Sequence, residues 1–222
     1  MSLKILIEKF LTNSLISFVI KKFTNFNLNL LNINYNKISP KTSARIFFGF
    51  YERAEIKLIK KHIKNYLNVL EIGGGIGITA KYCFNYNKKI ENYYIIEPYS
   101  INLELIKSQK FDFSKIKLIQ GCVFNDNEET STLNFEYTVP VLNKIDKSTI
   151  LARNISSEKV KILNEKYILD QLGDKKFLLI IDCEINPSIF ISKNKKLFKN
   201  CYGIISELEE IEKYPIDEQI QL

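Results

Sequence analysis

Histidine is almost absent from this chain, since His62 is the only one among its 222 residues. The four cysteines are Cys83, Cys122, Cys183 and Cys201, and no two of them form a Cys-x-x-Cys pair. Structural zinc sites need closely spaced cysteine and histidine ligands, so the sequence excludes a zinc site of ordinary spacing. It predicts reduced thiols and a cytoplasmic protein. Any general base must then be an Asp, Glu, Tyr, Lys or Cys side chain, unless His62 serves.

Arginine is also scarce, and occurs only as Arg45, Arg53 and Arg153. The formal net charge of +7 therefore comes from lysine, which is over-used together with asparagine and isoleucine along the whole chain. This pattern indicates a general compositional bias and not a selected basic surface. Proteins that read nucleic acids rely on arginine for bidentate contacts with bases and phosphates, so the composition disfavours a nucleic-acid partner.

Long apolar runs are missing, and none reaches the roughly 18 residues of a membrane span. The stretch from Ile5 to Ile20 comes nearest, but Glu8, Lys9 and Asn13 interrupt it. It also lacks the small-residue cleavage site of a signal peptide. Its helical periodicity predicts a helix that packs on the domain or on a partner. Peripheral contact of residues 3–22 with a membrane surface is the alternative.

Strand and helix patterns alternate along most of the chain, which predicts an α/β fold with a mostly parallel central sheet and helices on both faces. The predicted domains are a helical and irregular N-terminal extension at 1–40 and a Rossmann-like domain at 41–222. The predicted strands are 68–72, 93–97, 116–120, 133–138, 160–162, 177–182 and 202–208. The predicted helices after the extension are 44–63, 77–85, 101–108, 165–172 and 188–198. We expect a polar turn at 126–132, a surface insertion at 139–157, and a central position for 177–182, the most apolar strand.

A glycine cluster follows the first predicted strand, with the pattern acid-x-Gly-x-Gly-x-Gly at Glu71, Gly73, Gly75 and Gly77. Glycines let the backbone turn sharply and approach a ligand closely. The dinucleotide pattern G-x-G-x-x-G fits poorly, because Ile78 stands where its third glycine would be. The pattern therefore favours S-adenosylmethionine as the cofactor, with Gly73 and Gly75 against its ribose and methionine portions and Glu71 near its ammonium group.

Two further residues are predicted to contact the cofactor. Glu97 ends the second predicted strand, about 20 residues after the glycines, where a carboxylate can accept hydrogen bonds from both ribose hydroxyls. Cys122 follows the third predicted strand, where an adenine-contacting residue would lie, although ordinary packing is the alternative. Open α/β sheets bind ligands at the carboxyl ends of their strands, and both residues are predicted at that edge.

Asp182 and Glu184 follow the most apolar strand, and alternation directs both carboxylates the same way. Buried acids are costly unless they are solvated, paired or used, so we interpret them as catalytic candidates that remove or orient the acceptor proton. Capping, or ion pairing with a lysine, is the alternative. Two carboxylates alone do not require a metal, and none is predicted. Glu207, at the end of the last strand, is predicted to face the same edge.

These residues together resemble the FkbM family of S-adenosylmethionine-dependent methyltransferases, over residues 51–208. The matching segments are Tyr51-Glu52, Glu71 to Gly77, Glu97-Pro98, 160–172, Asp182-x-Glu184 and Glu207. The resemblance implies a class I methyltransferase that methylates a hydroxyl oxygen, often on a sugar of a glycan, glycolipid or related metabolite. The chain departs from the family pattern at Ile185, where glycine is usual, and at Pro187, where a further glutamate is frequent.

Two other functions remain open from the sequence. Asn186-Pro187-Ser188-Ile189, followed by Phe190, faintly resembles the Asn-Pro-Pro-Tyr loop with which N-methyltransferases of nucleic acid or protein hold a planar nitrogen. The departures at Ile185 and Pro187 also fit a catalytically degenerate protein of the same fold that serves in binding or assembly. A nicotinamide oxidoreductase is disfavoured by the glycine spacing.

Overall fold

The computed structural model describes residues 3–24, 33–35, 38–123, 130–136, 155–183 and 187–206. The strands are β1 (Asn68–Ile72), β2 (Asn92–Glu97), β3 (Ile116–Gln120), β4 (Thr130–Glu136), β5 (Ile155–Lys161), β6 (Phe177–Ile181) and β7 (Cys201–Ser206). Five of them form one parallel sheet in the order β3-β2-β1-β6-β7. The chain fills one half of the sheet outward from β1 and then returns to the other side of β1, which is the doubly wound, Rossmann-like order.

Helices cover both faces of this sheet, as predicted. They are α1 (Leu3–Leu11), α2 (Ser14–Thr24), α3 (Pro40–Phe47), α4 (Arg53–His62), α5 (Ile78–Tyr86), α6 (Ser100–Ser108), α7 (Glu165–Leu172) and α8 (Pro187–Lys193), with 3₁₀ turns at Ile63–Asn65 and Leu197–Lys199. On one face Leu70 packs with Leu172 of α7, and on the other Val69 packs with Ile59 of α4 and Cys83 of α5. Because successive strand residues point to opposite faces, each strand contributes to both cores.

The most apolar strand, β6, is interior and buried along its whole length, but the middle position of the sheet belongs to β1. The strand order reverses between these two neighbours. Ligands of open α/β sheets bind outside the carboxyl ends of the strands at such a reversal. The topology therefore indicates a candidate ligand site at the residues that follow β1 and β6.

The predicted single helix at 44–63 is wrong. The chain forms α3 and α4, joined by a turn in which Gly49 and Glu52 both adopt positive φ. The amides of Phe50 and Tyr51 both donate to the carbonyl of Arg45, at 2.7 and 3.2 Å, within the turn that follows α3. Apolar periodicity continues through the segment, so the pattern does not reveal a break that local backbone hydrogen bonds create.

The predicted N-terminal helix is also two helices. Asn13 separates them, and its side-chain oxygen accepts a hydrogen bond from the Ile16 amide at 2.9 Å, which caps the start of α2. None of the described helices has the length and apolarity that a membrane span requires. Helix α2 packs along α3. The division of the chain into an N-terminal extension at 1–40 and a Rossmann-like domain at 41–222 stays a prediction.

An antiparallel hairpin, β4 with β5, lies beside the main sheet. It corrects the predicted turn, since residues 130–132 belong to β4. It also corrects the predicted strand 160–162 and the end of the predicted insertion, since β5 begins at Ile155. Residues 139–154 of the predicted insertion and residues 137 and 138 of the predicted strand 133–138 lie outside the described residues. The polar sequence of β5 shows little alternation, so its strand character follows from its pairing with β4. The last predicted helix likewise ends at Lys193 and is followed by a 3₁₀ turn.

Candidate functional site

The glycine loop and the end of β2 meet at one point of the sheet edge. Glu97 is the last residue of β2, and its carboxylate accepts a hydrogen bond from the Gly75 amide at 2.8 Å. The Gly73 amide donates to the Ile96 carbonyl at 2.9 Å, which holds the start of the loop against β2. Gly77, at φ 81°, leads directly into α5. The predicted proximity of these glycines to Glu97 is therefore present in the structure.

The Glu97 side chain is buried and held by several donors. Besides Gly75, the Tyr99 amide and the Asn102 side-chain amide each donate to it at 3.0 Å. These contacts fix the direction of the carboxylate at the first turn of α6. Asn102 was missed by the sequence argument, and its position five residues after Glu97 is the only signal that could have identified it.

Gly73 and Gly75 are needed for different reasons. A Cβ atom on Gly73 would lie 2.0 Å from the carbonyl oxygen of Asp182, so this glycine permits the close approach of the chain that leaves β6. A Cβ atom on Gly75, at φ 48°, would meet no atom of the described residues within 4 Å. Gly75 is half-buried and its Cβ position faces open space, while Gly73 is required by packing.

Asp182 lies at the strand-order reversal. Its amide donates to the carbonyl of Ile72, the last residue of β1, at 2.9 Å, and the residue is half-buried. The structure thus places the backbone of Asp182 beside the glycine loop, and its catalytic role stays a prediction. Glu184 and Glu207 lie outside the described residues, so their placement next to Asp182 stays a prediction.

Glu71 is a fully buried acid, and within the described residues neither of its carboxylate oxygens has a hydrogen-bond partner of normal geometry. Burial raises its pKa well above the ordinary value, and the Tyr93 hydroxyl, which acts in the opposite direction, does not cancel this effect. The carboxylates of Asp182, Glu52 and Glu97 raise the pKa further. Glu71 therefore sits in a negative field that a cation would relieve.

Glu52 is part of this acidic group, although the sequence favours a structural role for the segment Tyr51-Glu52-Arg53 over contact with a cofactor or substrate. It adopts a left-handed backbone conformation at φ 42°, and its carboxylate accepts a hydrogen bond from the Thr79 hydroxyl at 2.6 Å. Non-glycine residues in this region are strained and concentrate at functional sites. Tyr51 beside it has a strongly raised pKa, first because of burial and then because of the Glu52 carboxylate. The only sequence signal was the family-like pair Tyr51-Glu52.

Cys122 is buried and packs against neighbouring apolar residues. It forms a parallel bridge with Ile162, and it clusters with Val160 and Ile162. Its amide donates to the Lys161 carbonyl at 3.0 Å, and burial raises the pKa of its thiol. These contacts account for the residue without a ligand, and its predicted contact with adenine stays a prediction. In the described part of the chain, no group of three or more His, Cys, Asp or Glu side chains could hold a metal ion.

No protein-family model and no curated protein matches this chain. Among solved structures, it is similar to a Staphylococcus aureus protein described as a caffeoyl-CoA O-methyltransferase, at TM-score 0.43 and 14% identity, over 86% of this chain and 71% of that one. It is also similar to the methyltransferase FkbM from Methylobacillus flagellatus, at TM-score 0.39 and 10% identity, over 82% of this chain and 45% of that one. Both similarities are distant, and neither assigns an activity to this chain.

The buried Glu71 predicts an unusual dependence of stability on pH. Its pKa is raised above the ordinary 4.5 in the folded chain, so folding takes up a proton once the pH exceeds that value. The free energy of unfolding should therefore fall as the pH rises above about 4.5 towards the raised pKa of Glu71. Glu71→Gln, which is uncharged at every pH, should lack this contribution and be more stable than the parent near pH 8. Urea denaturation at several pH values measures the difference.

Glu104→Gln is the matched control for this prediction, because Glu104 is an exposed acid on α6 paired with Lys107 at 2.7 Å. Its pH profile should follow that of the parent chain. If Glu71→Gln and the parent lose stability in parallel between pH 5 and pH 8, then Glu71 ionises normally and the acidic field described above is wrong.

Proposed function

We propose that this protein is an S-adenosylmethionine-dependent methyltransferase. The observation that carries the proposal is the hydrogen bond from the Gly75 amide to the Glu97 carboxylate. It brings an open stretch of backbone and an acid suited to ribose hydroxyls together at the carboxyl edge of a doubly wound sheet, beside its strand-order reversal.

The charges near Glu71 distinguish between the two kinds of nucleoside cofactor. A dinucleotide brings two negative phosphates to the glycine loop, where Asp182, Glu52 and Glu97 already raise the pKa of Glu71. S-adenosylmethionine carries a sulfonium and an ammonium group and no phosphate. Opposite charges within a few ångströms favour the ionised form of an acid. The acidic field therefore supports the cationic cofactor.

The residues present fit this cofactor. Glu97 would accept hydrogen bonds from the ribose hydroxyls, the backbone at Gly75 would lie along the ligand, and Glu71 would face the ammonium group. When bound, the cofactor would supply an electrophilic methyl group. The protein's own contribution is to orient an acceptor oxygen and to take its proton.

We assign proton removal or acceptor orientation to Asp182, with Glu184 as the second candidate. Asp182 is half-buried, and its backbone lies against the end of β1, next to the glycine loop where the methyl donor is expected. The acceptor we propose is a sugar hydroxyl of a glycan, glycolipid or related metabolite. The N-methyltransferase alternative loses support, because Phe190 is fully buried in the core and is not available to stack on a base.

Titration calorimetry with S-adenosylmethionine tests the proposed function. We expect one site per chain, with weaker or no binding of NAD at the same concentration. Because a cation at Glu71 favours its ionised form, binding should also release protons and become tighter as the pH rises from 6 to 8. Absence of binding at millimolar S-adenosylmethionine would instead support a binding or assembly protein that shares the fold.

The acceptor is found by incubating the protein with methyl-labelled cofactor and fractionated cell-envelope glycans. Label should enter a glycan pool, and Asp182→Asn should reduce its rate of entry by about 100-fold or more, a typical contribution of a positioned base. The dissociation constant of the cofactor should change much less. If the variant transfers label as fast as the parent, Asp182 is not the base.

A further inference from the structure

The helices α1 and α2 expose large apolar side chains to solvent. More than half of the exposed large hydrophobic residues in the described part of the chain lie on these two short helices. They include Leu6 and Phe10 on α1, and Leu15, Phe18, Val19 and Phe23 on α2. On α2, the spacing of Leu15, Phe18 and Val19 places them on one side of the helix. Large exposed apolar surfaces mark interaction sites in monomeric proteins.

The burial pattern of α2 is inverted relative to an ordinary surface helix. Ser17 is only 1% exposed, whereas Leu15 is 75% exposed, and Phe10 on α1 is 65% exposed. Helix α2 packs along α3, where Ser43 and Ala44 are fully buried. Ser17 thus faces the protein, and Ile16 and Ile20 are half-buried. The other large apolar side chains of α2 face outward, namely Leu15, Phe18, Val19 and Phe23. Leu15 and Phe10 therefore do not contribute to the core of their own domain.

The charges around the apolar face are positive. Four lysines lie on the two helices against a single acid, Glu8, and that acid forms an ion pair with Arg45 of α3 at 3.2 Å. The Lys22 ammonium lies 4.8 Å from the centre of the Phe18 ring, so positive charge and apolar surface adjoin. Amphipathic helices with lysines beside an apolar face bind in the plane of membranes that contain anionic lipids.

We propose that α1 and α2 attach this protein to the surface of an anionic lipid bilayer. The apolar side chains enter the boundary between headgroups and acyl chains, and the lysines contact the anionic headgroups. Pairing with a second copy of the chain is the weaker reading, because it would bring two sets of lysines together across one interface. The proposal does not depend on the proposed enzymatic activity.

Vesicle flotation tests the attachment. The full chain should float with vesicles of phosphatidylcholine and phosphatidylglycerol, bind vesicles of phosphatidylcholine alone more weakly, and lose binding as salt is added. The double variant Phe10→Ser/Leu15→Ser should bind the anionic vesicles about tenfold more weakly or worse. The control Leu58→Ser/Ile101→Ser removes two exposed apolar side chains of α4 and α6 and should bind as the parent does. Equal binding by all three proteins, or no binding by the parent, would overturn the proposal.

A tryptophan reporter gives a second readout that does not depend on reduced affinity, because the natural chain contains no tryptophan. The emission of Phe10→Trp should shift to the blue when anionic vesicles are added, since the indole leaves water. Phe113→Trp, at another exposed phenylalanine, should show no shift. A reporter at position 10 that stays in water at saturating lipid contradicts the proposal. So does a lipid-independent dimer, seen by sedimentation, that Phe10→Ser/Leu15→Ser dissociates.

Discussion

Changing Glu97 to glutamine should weaken S-adenosylmethionine binding by roughly ten- to a hundredfold, because hydrogen bonds to a charged group contribute about 1.5–3 kcal/mol. The carboxylate accepts from the Gly75 amide, the Tyr99 amide and the Asn102 side chain. Glutamine has a similar shape but replaces one acceptor oxygen with a donor. It therefore removes the group that would accept from the ribose hydroxyls while changing the volume of the site very little. Titration calorimetry gives the ratio of dissociation constants.

Glu91→Gln provides the matched control, since Glu91 is an exposed acid just before β2 and its change alters the net charge equally. Its affinity for the cofactor should equal that of the parent chain. Thermal melting of both variants separates loss of binding from loss of folding. An unchanged dissociation constant for a folded Glu97→Gln variant would remove this residue from the binding site.

The two glycines of the loop should respond very differently to alanine. Gly73→Ala places a Cβ atom 2.0 Å from the backbone oxygen of Asp182, and relief requires β6 and the loop to separate. We expect the free energy of unfolding to fall by about 3 kcal/mol or more. Gly75→Ala meets no atom, so it should cost only about 1–2 kcal/mol for its left-handed backbone. The same Cβ atom projects into the proposed site and should reduce cofactor affinity about tenfold or more.

Urea denaturation and calorimetry on both glycine variants separate packing from binding. The expected pattern is a large loss of stability in Gly73→Ala, and a loss of affinity that exceeds the loss of stability in Gly75→Ala. A Gly75→Ala variant that binds S-adenosylmethionine as tightly as the parent would show that the ligand does not approach this backbone. The open space at Gly75 would then have another use.

Several elements could be predicted residue by residue. The bounds of β1, β3 and α7 agree with the sequence prediction. Apolar residues define these elements, and residues that end them, such as Gly173 after α7, mark their limits. The helix break between α3 and α4 could not be predicted, since Phe50 and Tyr51 end α3 by sharing one carbonyl. The outward orientation of the apolar face of α2 could not be predicted either. Periodicity shows that a helix has an apolar and a polar face, but not which of them packs against the protein.

The site was predictable to the extent that it follows from parallel strands. Two consecutive parallel strands end at the same sheet edge, so a glycine loop after one and an acid at the end of the next must be neighbours. This reasoning located Gly75 and Glu97. The same reasoning did not identify Asn102 or Glu52. An asparagine on the first turn of a helix and a glutamate before a helix are common, and their spacing from other residues does not indicate a ligand.

The sequence by itself determined the alternation of strands and helices in the main sheet, the positions of the glycines, and the placement of Glu97 and Asp182 at one sheet edge. These follow from residue periodicity and from the direction of parallel strands, which are local properties. Only the tertiary structure decided that Gly73 serves packing while Gly75 faces open space, and that Glu71 is buried among other acids. Those outcomes depend on chain segments far apart in sequence, whose distances set both steric clash and electrostatic field.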